Sequence, residues 1–126
     1  EHREEMLARA TLAIAPIEWS SRPELLIGVA GTATTLAASE LNLERWNAEV
    51  VHGFDLTRDA LERWTHRLVG PDRAARRALT RVSPERADTV LAGACILLRV
   101  CEDAGIDGLK ISVGGIRHGL LCEKAL

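Results

Sequence analysis

Two glycines and a threonine accompany a short apolar run early in the chain, and their spacing could bind a ligand. Gly28, Gly31 and Thr32 lie within or directly after residues 25–30, a run short and apolar enough to be a buried strand. Glycine permits a tight turn there, and one of the threonines in residues 32–35 can cap the helix that follows. Because the first amides of a helix lack internal partners and its dipole favours negative charge, the turn predicts a phosphate or nucleotide site.

A second pair of glycines follows another predicted strand near the end of the sequence. Gly114 and Gly115 come after the strand predicted at residues 109–113, and Arg117 stands at the start of the next predicted helix. If the two strands lie parallel and adjacent, both turns meet at the carboxyl edge of one sheet, where open α/β sheets bind ligands. The residues expected to line this single site are Gly28, Gly31, Thr32, Gly114, Gly115 and Arg117.

Each of these motifs also has a purely structural explanation. The first turn lacks the lysine of a P-loop and the third glycine of a dinucleotide fingerprint, and a lone G-x-x-G-T turn is more often simple packing of a strand on a helix. Arg117 and His118 could equally be a pair on a helix surface. Residue spacing indicates no metal-ligand cluster, nucleophile elbow or paired-carboxylate set, so we predict neither a catalytic residue nor a metal ligand in this chain.

Four arginines recur at helical spacing in the middle of the chain. Arg73, Arg76, Arg77 and Arg81 share one face of a helix predicted at residues 71–80. Such a face could follow a polyanion, although a solvated surface or a contact with another domain is the commoner explanation.

Three other charged or titratable residues are interpreted as structural. Arg86 and Asp88 flank Ala87 in the first turn of a long predicted helix, where an ion pair with a neighbouring helix is expected. His52, on a predicted strand, is expected to have its hydrogen bonds satisfied within the fold.

Helices with recognisable ends position these residues. A periodic N-terminal helix stops near Pro16, Thr57 caps a helix, and residues 83–85 begin the longest helix, which Gly105 ends. Alternating residues at 50–56 predict a further short strand. The whole pattern predicts a helix-rich α/β fold with a small, mainly parallel sheet.

Length and composition restrict the class of protein. The chain has 126 residues, 47% of them hydrophobic and 27% charged, which fits one globular domain. A formal net charge of −2 argues against nucleic acid as a partner. The sequence offers neither a membrane-spanning run nor a signal peptide, so we expect a cytoplasmic protein without a membrane partner. The three cysteines, Cys95, Cys101 and Cys122, are expected to be small buried apolar residues.

Four blocks of sequence, in order, resemble the exopolyphosphatase / guanosine pentaphosphate phosphatase family. They are residues 28–37, 51–57, 84–94 and 115–121, and together they extend over nearly the whole chain. The resemblance implies a partial ribonuclease-H-like domain of the actin-like, sugar-kinase and heat-shock ATPase superfamily. Residues 1–126 would be the later part of the second domain of a longer phosphatase, and Gly28–Thr32 its adenosine-side motif. His118 stands where the family usually has glutamate.

The resemblance also implies an activity for the parent protein. It would release terminal phosphate from polyphosphate or guanosine pentaphosphate, by magnesium-assisted attack of a water that a glutamate outside this chain holds. On this hypothesis the chain is a fragment, inactive alone, whose partners are a missing N-terminal domain and further copies of itself in a homo-oligomer. The alternative is a non-catalytic phosphate- or nucleotide-binding or interaction module of the same fold.

Overall fold

The structure, a computed structural model, describes residues 2–70 and 72–125. Helices dominate it, and three short strands form its sheet. In chain order the elements are α1 His2–Ile14, β1 Ile27–Gly28, α2 Ala30–Glu40, α3 Ala48–Val51, β2 Asp55–Thr57, α4 Arg58–Arg67, α5 Arg73–Leu79, a 3-10 helix Pro84–Arg86, α6 Ala87–Ala104, β3 Gly108–Ile111 and α7 Ile116–Ala125.

The sheet of the described residues has the strand order β1-β3-β2. β1 pairs in parallel with β3, with Gly28 opposite Ile111, whereas β2 pairs antiparallel with β3, with Leu56 opposite Leu109. The helix-rich α/β fold with a small sheet is therefore confirmed. The sheet is mixed, because only the β1–β3 pair is parallel and β2 runs in the opposite direction.

β1 is shorter and more exposed than the sequence indicates. Only Ile27 and Gly28 form ladder pairs, and the side chains of Leu25, Ile27 and Val29 on one face are 53%, 60% and 48% exposed. Although the run has the composition of a buried strand, this face of β1 is left open by the described residues. Because β1 is also an edge strand, its outer edge and this apolar face are both open, as expected of a strand prone to pairing with another chain.

α6 is the helix around which the others pack. It contacts α1, α2, α4 and α5. It is amphipathic, and its buried face consists of Ala87, Val90, Leu91, Ala94, Cys95, Leu98, Cys101 and Ala104. Gly105 ends α6 in the left-handed conformation with φ of 70°, which confirms the predicted glycine stop.

The N-terminal helix and the helix start at Thr57 agree with the sequence. α1 covers His2–Ile14 and ends two residues before Pro16. The side-chain oxygen of Thr57 accepts a hydrogen bond from the amide of Ala60 at 3.0 Å, so the predicted cap of α4 is confirmed. Such a cap contributes about 1 kcal/mol to helix stability.

Two other helix starts differ in their capping. α5 begins at Arg73 because Asp72 caps it, accepting from the amide of Ala75 at 2.9 Å, and Pro71 lies outside the described residues. The long helix begins where predicted, but through the 3-10 turn Pro84–Arg86, and Ser83 makes no side-chain cap hydrogen bond.

Residues 50–56 do not form one continuous strand. Asn47 caps the short helix α3, accepting from the amide of Glu49 at 3.1 Å. Gly53 then turns the chain with φ of 81°, and only Asp55–Thr57 joins the sheet. The alternating pattern was therefore wrong for residues 50–54, because local capping of α3 outweighs the period-two pattern there.

The cysteines divide into two environments. Cys95 and Cys101 are buried as predicted, and burial raises the pKa of the Cys101 thiol to about 11. Cys122 is exposed on α7, so the prediction that all three are buried is wrong for it. In the part of the chain that the structure describes, no helix is long and apolar enough to cross a membrane.

Candidate functional site

The two glycine turns lie side by side at one edge of the sheet. The register places Gly28 beside Ile111, and the amide of Ser112 donates to the carbonyl oxygen of Gly28 at 2.9 Å. Since both strands run in the same direction, the β1–α2 and β3–α7 turns leave the sheet at the same carboxyl edge. This arrangement confirms the geometric expectation from the sequence.

In the β1–α2 turn the strained backbone conformation lies one residue before the glycine that was expected to adopt it. Ala30, rather than Gly31, has the left-handed φ of 68°, and it is the first residue of α2. An L-residue pays roughly 1–2 kcal/mol for this conformation. The N-cap residue is Val29, whose side chain has no acceptor, so the expected threonine cap is wrong. Instead, Thr34 donates to the carbonyl oxygen of Ala30 at 2.9 Å.

Gly28 and Thr32 are both used in packing. A Cβ on Gly28 would collide with the Leu109 side chain and lie 3.1 Å from the Cβ of Ala33, so this glycine lets α2 pack closely on β3. Thr32 lies against Gly93 of α6, where an added Cβ would be 2.6 Å from its hydroxyl and 3.0 Å from its Cβ. These two predicted site residues therefore set the position of α2.

Gly31 leaves space for Arg86, for which the sequence predicts an ion pair with a neighbouring helix. The guanidinium of Arg86 occupies the position that a Gly31 Cβ would take, with its Nη2 3.2 Å from that point. Arg86 makes no salt bridge within residues 2–70 and 72–125. An unpaired guanidinium therefore lies over the first turn of α2, where the helix dipole already attracts anions.

The expected ion pair at the start of α6 involves Asp88 alone. Its carboxylate forms ion pairs with Arg73 at 3.2 Å and Arg76 at 3.5 Å, which connect α5 to α6. Arg81 binds the carbonyl oxygens of Leu43 and Asn42 at 3.0 and 2.8 Å. Three of the four arginines on the predicted face thus make contacts within this chain, which neither a solvated surface nor a contact with another domain describes.

The β3–α7 turn uses its amides differently from the β1–α2 turn. The amide of Val113 donates to Nδ1 of His52 at 3.1 Å, that of Gly114 to the Ser112 hydroxyl at 3.1 Å, and that of Gly115 to Nδ1 of His118 at 3.3 Å. The three consecutive amides are therefore all held by side chains. An added Cβ on Gly115 would meet no atom within 4 Å, so the space above the turn is open.

Arg117 and His118 diverge at the start of α7. Arg117 is exposed and forms no salt bridge with another described residue, whereas His118 folds back onto Gly115. His52 accepts a hydrogen bond as predicted, but it is exposed rather than enclosed.

A cavity of about 310 Å³ lies at the other end of α2, away from both turns. Its wall includes Glu40, whose pKa is held below the usual range by a hydrogen bond from Arg63 at 2.8 Å and by a second from the indole of Trp64 at 2.9 Å. Arg67 stacks over the same indole, 4.3 Å from the ring centroid. These contacts join α2 to α4 and engage both carboxylate oxygens in hydrogen bonds.

The acidic and metal-binding side chains do not converge anywhere in the described residues. Within residues 2–70 and 72–125, no group of three or more His, Cys, Asp or Glu could hold a metal ion. The candidate site therefore consists of backbone amides and arginines, a combination suited to binding anions.

Comparison with known proteins gives consistent matches over nearly the whole chain. The model of the Ppx/GppA phosphatase family matches residues 2–126. Exopolyphosphatase 2 of Mycobacterium tuberculosis is 34% identical over 103 residues, which make up 79% of this chain and 32% of that protein. The chain thus spans about a third of the length of these curated relatives.

Solved structures share the fold. The crystal structure of the Aquifex aeolicus member of the Ppx/GppA protein family superposes with a TM-score of 0.87 at 27% identity, over 97% of this chain and 40% of that one. An exopolyphosphatase from Cytophaga hutchinsonii superposes with a TM-score of 0.76 at 24% identity, over 98% of this chain and 41% of its own. The partial actin-like ATPase fold that the resemblance implied is therefore confirmed.

Proposed function

Because the chain belongs to the Ppx/GppA phosphatase family, we propose that it forms one wall of a site that releases terminal phosphate from polyphosphate or guanosine pentaphosphate. In this proposal it is the later part of the second domain of a longer hydrolase, which works in the cytoplasm as a homo-oligomer. The relative from Mycobacterium tuberculosis is named an exopolyphosphatase, and its greater length leaves room for the remaining walls.

The observation that carries the proposal is the position of Arg86 over Gly31. A guanidinium binds two phosphate oxygens at once, and the first amides of α2 add donors aimed in the same direction. Together they would bind a phosphate group at the carboxyl edge and stabilise its charge. Charge stabilisation and positioning supply most of the catalysis in phosphoryl transfer.

The second turn has a different part in this proposal. Its amides are occupied, so Gly114 and Gly115 would contribute open space for the ligand rather than hydrogen bonds. Arg117 would supply a second cation at the rim. Gly28 and Thr32 would act indirectly, by fixing α2 against β3 and α6.

The side chains in the described part of the chain do not form a magnesium site. The described residues provide no metal-binding cluster, so we propose that both the ion and the glutamate that holds the attacking water belong to another part of the hydrolase. The same observation is what a non-catalytic phosphate- or nucleotide-binding module would show, and this remains the second candidate function.

A test of the proposal compares two arginines in the full-length protein. Replacing Arg86 with glutamine should raise the KM for polyphosphate or guanosine pentaphosphate about tenfold or more, because a hydrogen bond to a charged group is worth about 1.5–3 kcal/mol. The measurement is phosphate release with magnesium present. Arg77→Gln is the matched control, since Arg77 is exposed on α5 and is expected to leave the KM unchanged.

Equal kcat/KM for the two variants would exclude Arg86 from the ligand site. Absence of turnover in the unaltered full-length protein, combined with phosphate binding that Arg86→Gln weakens, would favour the non-catalytic module.

A further inference from the structure

We propose that His52 and His118 are positioning residues that hold the β3–α7 turn only while their imidazoles are neutral, so that the turn loosens as the pH falls. They approach it from different elements, His52 from the end of α3 and His118 from the first turn of α7. Their Nδ1 atoms accept from the amides of Val113 and Gly115 at 3.1 and 3.3 Å. Ser112 holds the amide between them at 3.1 Å.

The chemistry of the imidazole makes two of these three contacts dependent on pH. A neutral imidazole has one acceptor nitrogen, which here must be Nδ1, and an imidazolium has none. Protonation therefore removes both hydrogen bonds and leaves N–H groups facing N–H groups. A serine hydroxyl does not titrate in this range, so Gly114 provides an internal reference. Histidine ordinarily changes charge between about pH 5 and pH 8.

His118 occupies a position at which helices usually carry an acidic or amide side chain. It is the third residue of α7, and its bond to the amide of Gly115 is the return bond of a capping box, which glutamate or glutamine normally makes. A carboxyl or amide side chain keeps an acceptor oxygen whether or not it is protonated, whereas an imidazole accepts only while it is neutral. A protonated His118 would also place positive charge at the positive end of the α7 dipole, next to Arg117.

Carboxylates lie on the elements around the two histidines, but none forms an ion pair with either imidazole among the described residues. Near His52 the charged groups are Glu49 on α3 and Lys110 of β3, whose ammonium contacts the carbonyl of Gly53 at 3.4 Å and Asp55 of β2 at 2.8 Å.

On α7 the titratable and charged groups besides His118 are Arg117, Cys122, Glu123 and Lys124. Both imidazoles are exposed, so protons reach them without any opening of the fold. The two hydrogen bonds therefore stabilise the turn while the imidazoles are neutral, and protonation removes this contribution.

Amide hydrogen exchange in the intact protein, read by NMR at pH 7.5 and pH 5.5 without substrate, tests the inference. The protection factors of Val113 and Gly115 should fall roughly fivefold at the lower pH, the loss of one neutral hydrogen bond each. The protection of Gly114 should stay constant. Ile111, whose amide donates to the carbonyl of Phe54 at 2.8 Å, is a reference within the sheet.

Two variants assign the effect to the individual imidazoles. His118→Gln keeps an acceptor at every pH, so Gly115 should remain protected at pH 5.5 while Val113 still loses protection. His52→Asn should give the reverse pattern. Constant protection in the unaltered protein, or the same loss at Gly115 in His118→Gln, would overturn the inference. The pH dependence of the β3–α7 turn rests on the proposed function only for its effect on catalysis. Because the exchange experiment uses no substrate, its outcome is independent of the test with Arg86→Gln.

Discussion

The β1–α2 and β3–α7 turns share one sheet edge and the same strand–glycine–helix pattern, yet their glycines serve opposite purposes. In the first turn, Gly28 and Gly31 are positions at which another group comes too close for a side chain, a leucine at one and the Arg86 guanidinium at the other. In the second turn, Gly115 faces open space, and side chains hold the backbone amides.

The difference shows that a glycine turn after a strand does not by itself create an anion site. An anion site also requires that the amides after the turn have no internal hydrogen-bond partner and that a cation lies near them. The start of α2 meets both conditions, because Val29 offers no acceptor and Arg86 is unpaired among the described residues. The amides at the start of α7 are not free, because the neutral imidazoles of His52 and His118 and the hydroxyl of Ser112 accept hydrogen bonds from them.

The largest expected effect is a complete absence of turnover by the isolated chain. The first turn offers hydrogen-bond donors only, side chains hold the amides of the second, and no cluster of His, Cys, Asp or Glu in the described residues could hold a metal ion. We expect no phosphate release from long-chain polyphosphate with magnesium, and turnover only when the rest of the hydrolase is added in trans. Metal-dependent turnover by the chain alone would refute the assignment of both turns to binding.

A smaller effect separates the packed turn from the open one. Gly93→Ala should lower the free energy of unfolding by about 1–3 kcal/mol, because the new Cβ would press on the rigid Thr32 side chain at the start of α2. Gly115→Ala should change it by less than about 0.5 kcal/mol, since the added methyl group meets no neighbour. Urea denaturation of both variants measures the difference, and equal values would contradict the contrast between the turns.

An equally small change in stability is expected for Gly31→Ala, which nevertheless should weaken the ligand site. Only the mobile end of Arg86 has to move, and alanine is favoured over glycine in a helix by up to about 1 kcal/mol, so stability should stay within about 0.5 kcal/mol. The KM should rise less than in Arg86→Gln.

Gly119→Ala is the control for this substitution on α7, where the added methyl group also meets open space. It should stabilise the helix by about 0.5–1 kcal/mol and leave the KM unaltered. If both variants alter the KM equally, displacement of Arg86 is not the cause.

The sequence was sufficient for features that local chemistry determines. The cap at Thr57 and the glycine stop at Gly105 follow from short-range patterns. The shared edge of the two turns was expected only on the condition that β1 and β3 pair in parallel, which they do. The bond between His118 and Gly115 could also have been found, because a side-chain acceptor three residues after an N-cap is a known helix-start pattern.

Other features depend on contacts between distant parts of the chain. The approach of Arg86 to Gly31 and the bond from Val113 to His52, 61 residues apart, exist only after α6 and β3 have packed. The exposure of Ile27 likewise depends on which elements pack beside β1, and the hydrophobicity of the run does not determine it. The short helix α3 was missed because its apolar residues fit a period of two as well as one helical turn.

The hydrogen bond between Trp64 and Glu40 gives this chain an intrinsic optical probe. The sequence has three tryptophans and no tyrosine, and Trp64 is 2% exposed whereas Trp46 is 49% exposed. The emission of Trp64 should therefore lie at shorter wavelength and resist aqueous quenchers, in contrast to that of Trp46. Because its indole joins α4 to the last residue of α2, this emission follows the packing of the helix that starts at Ala30, without any label near the ligand edge.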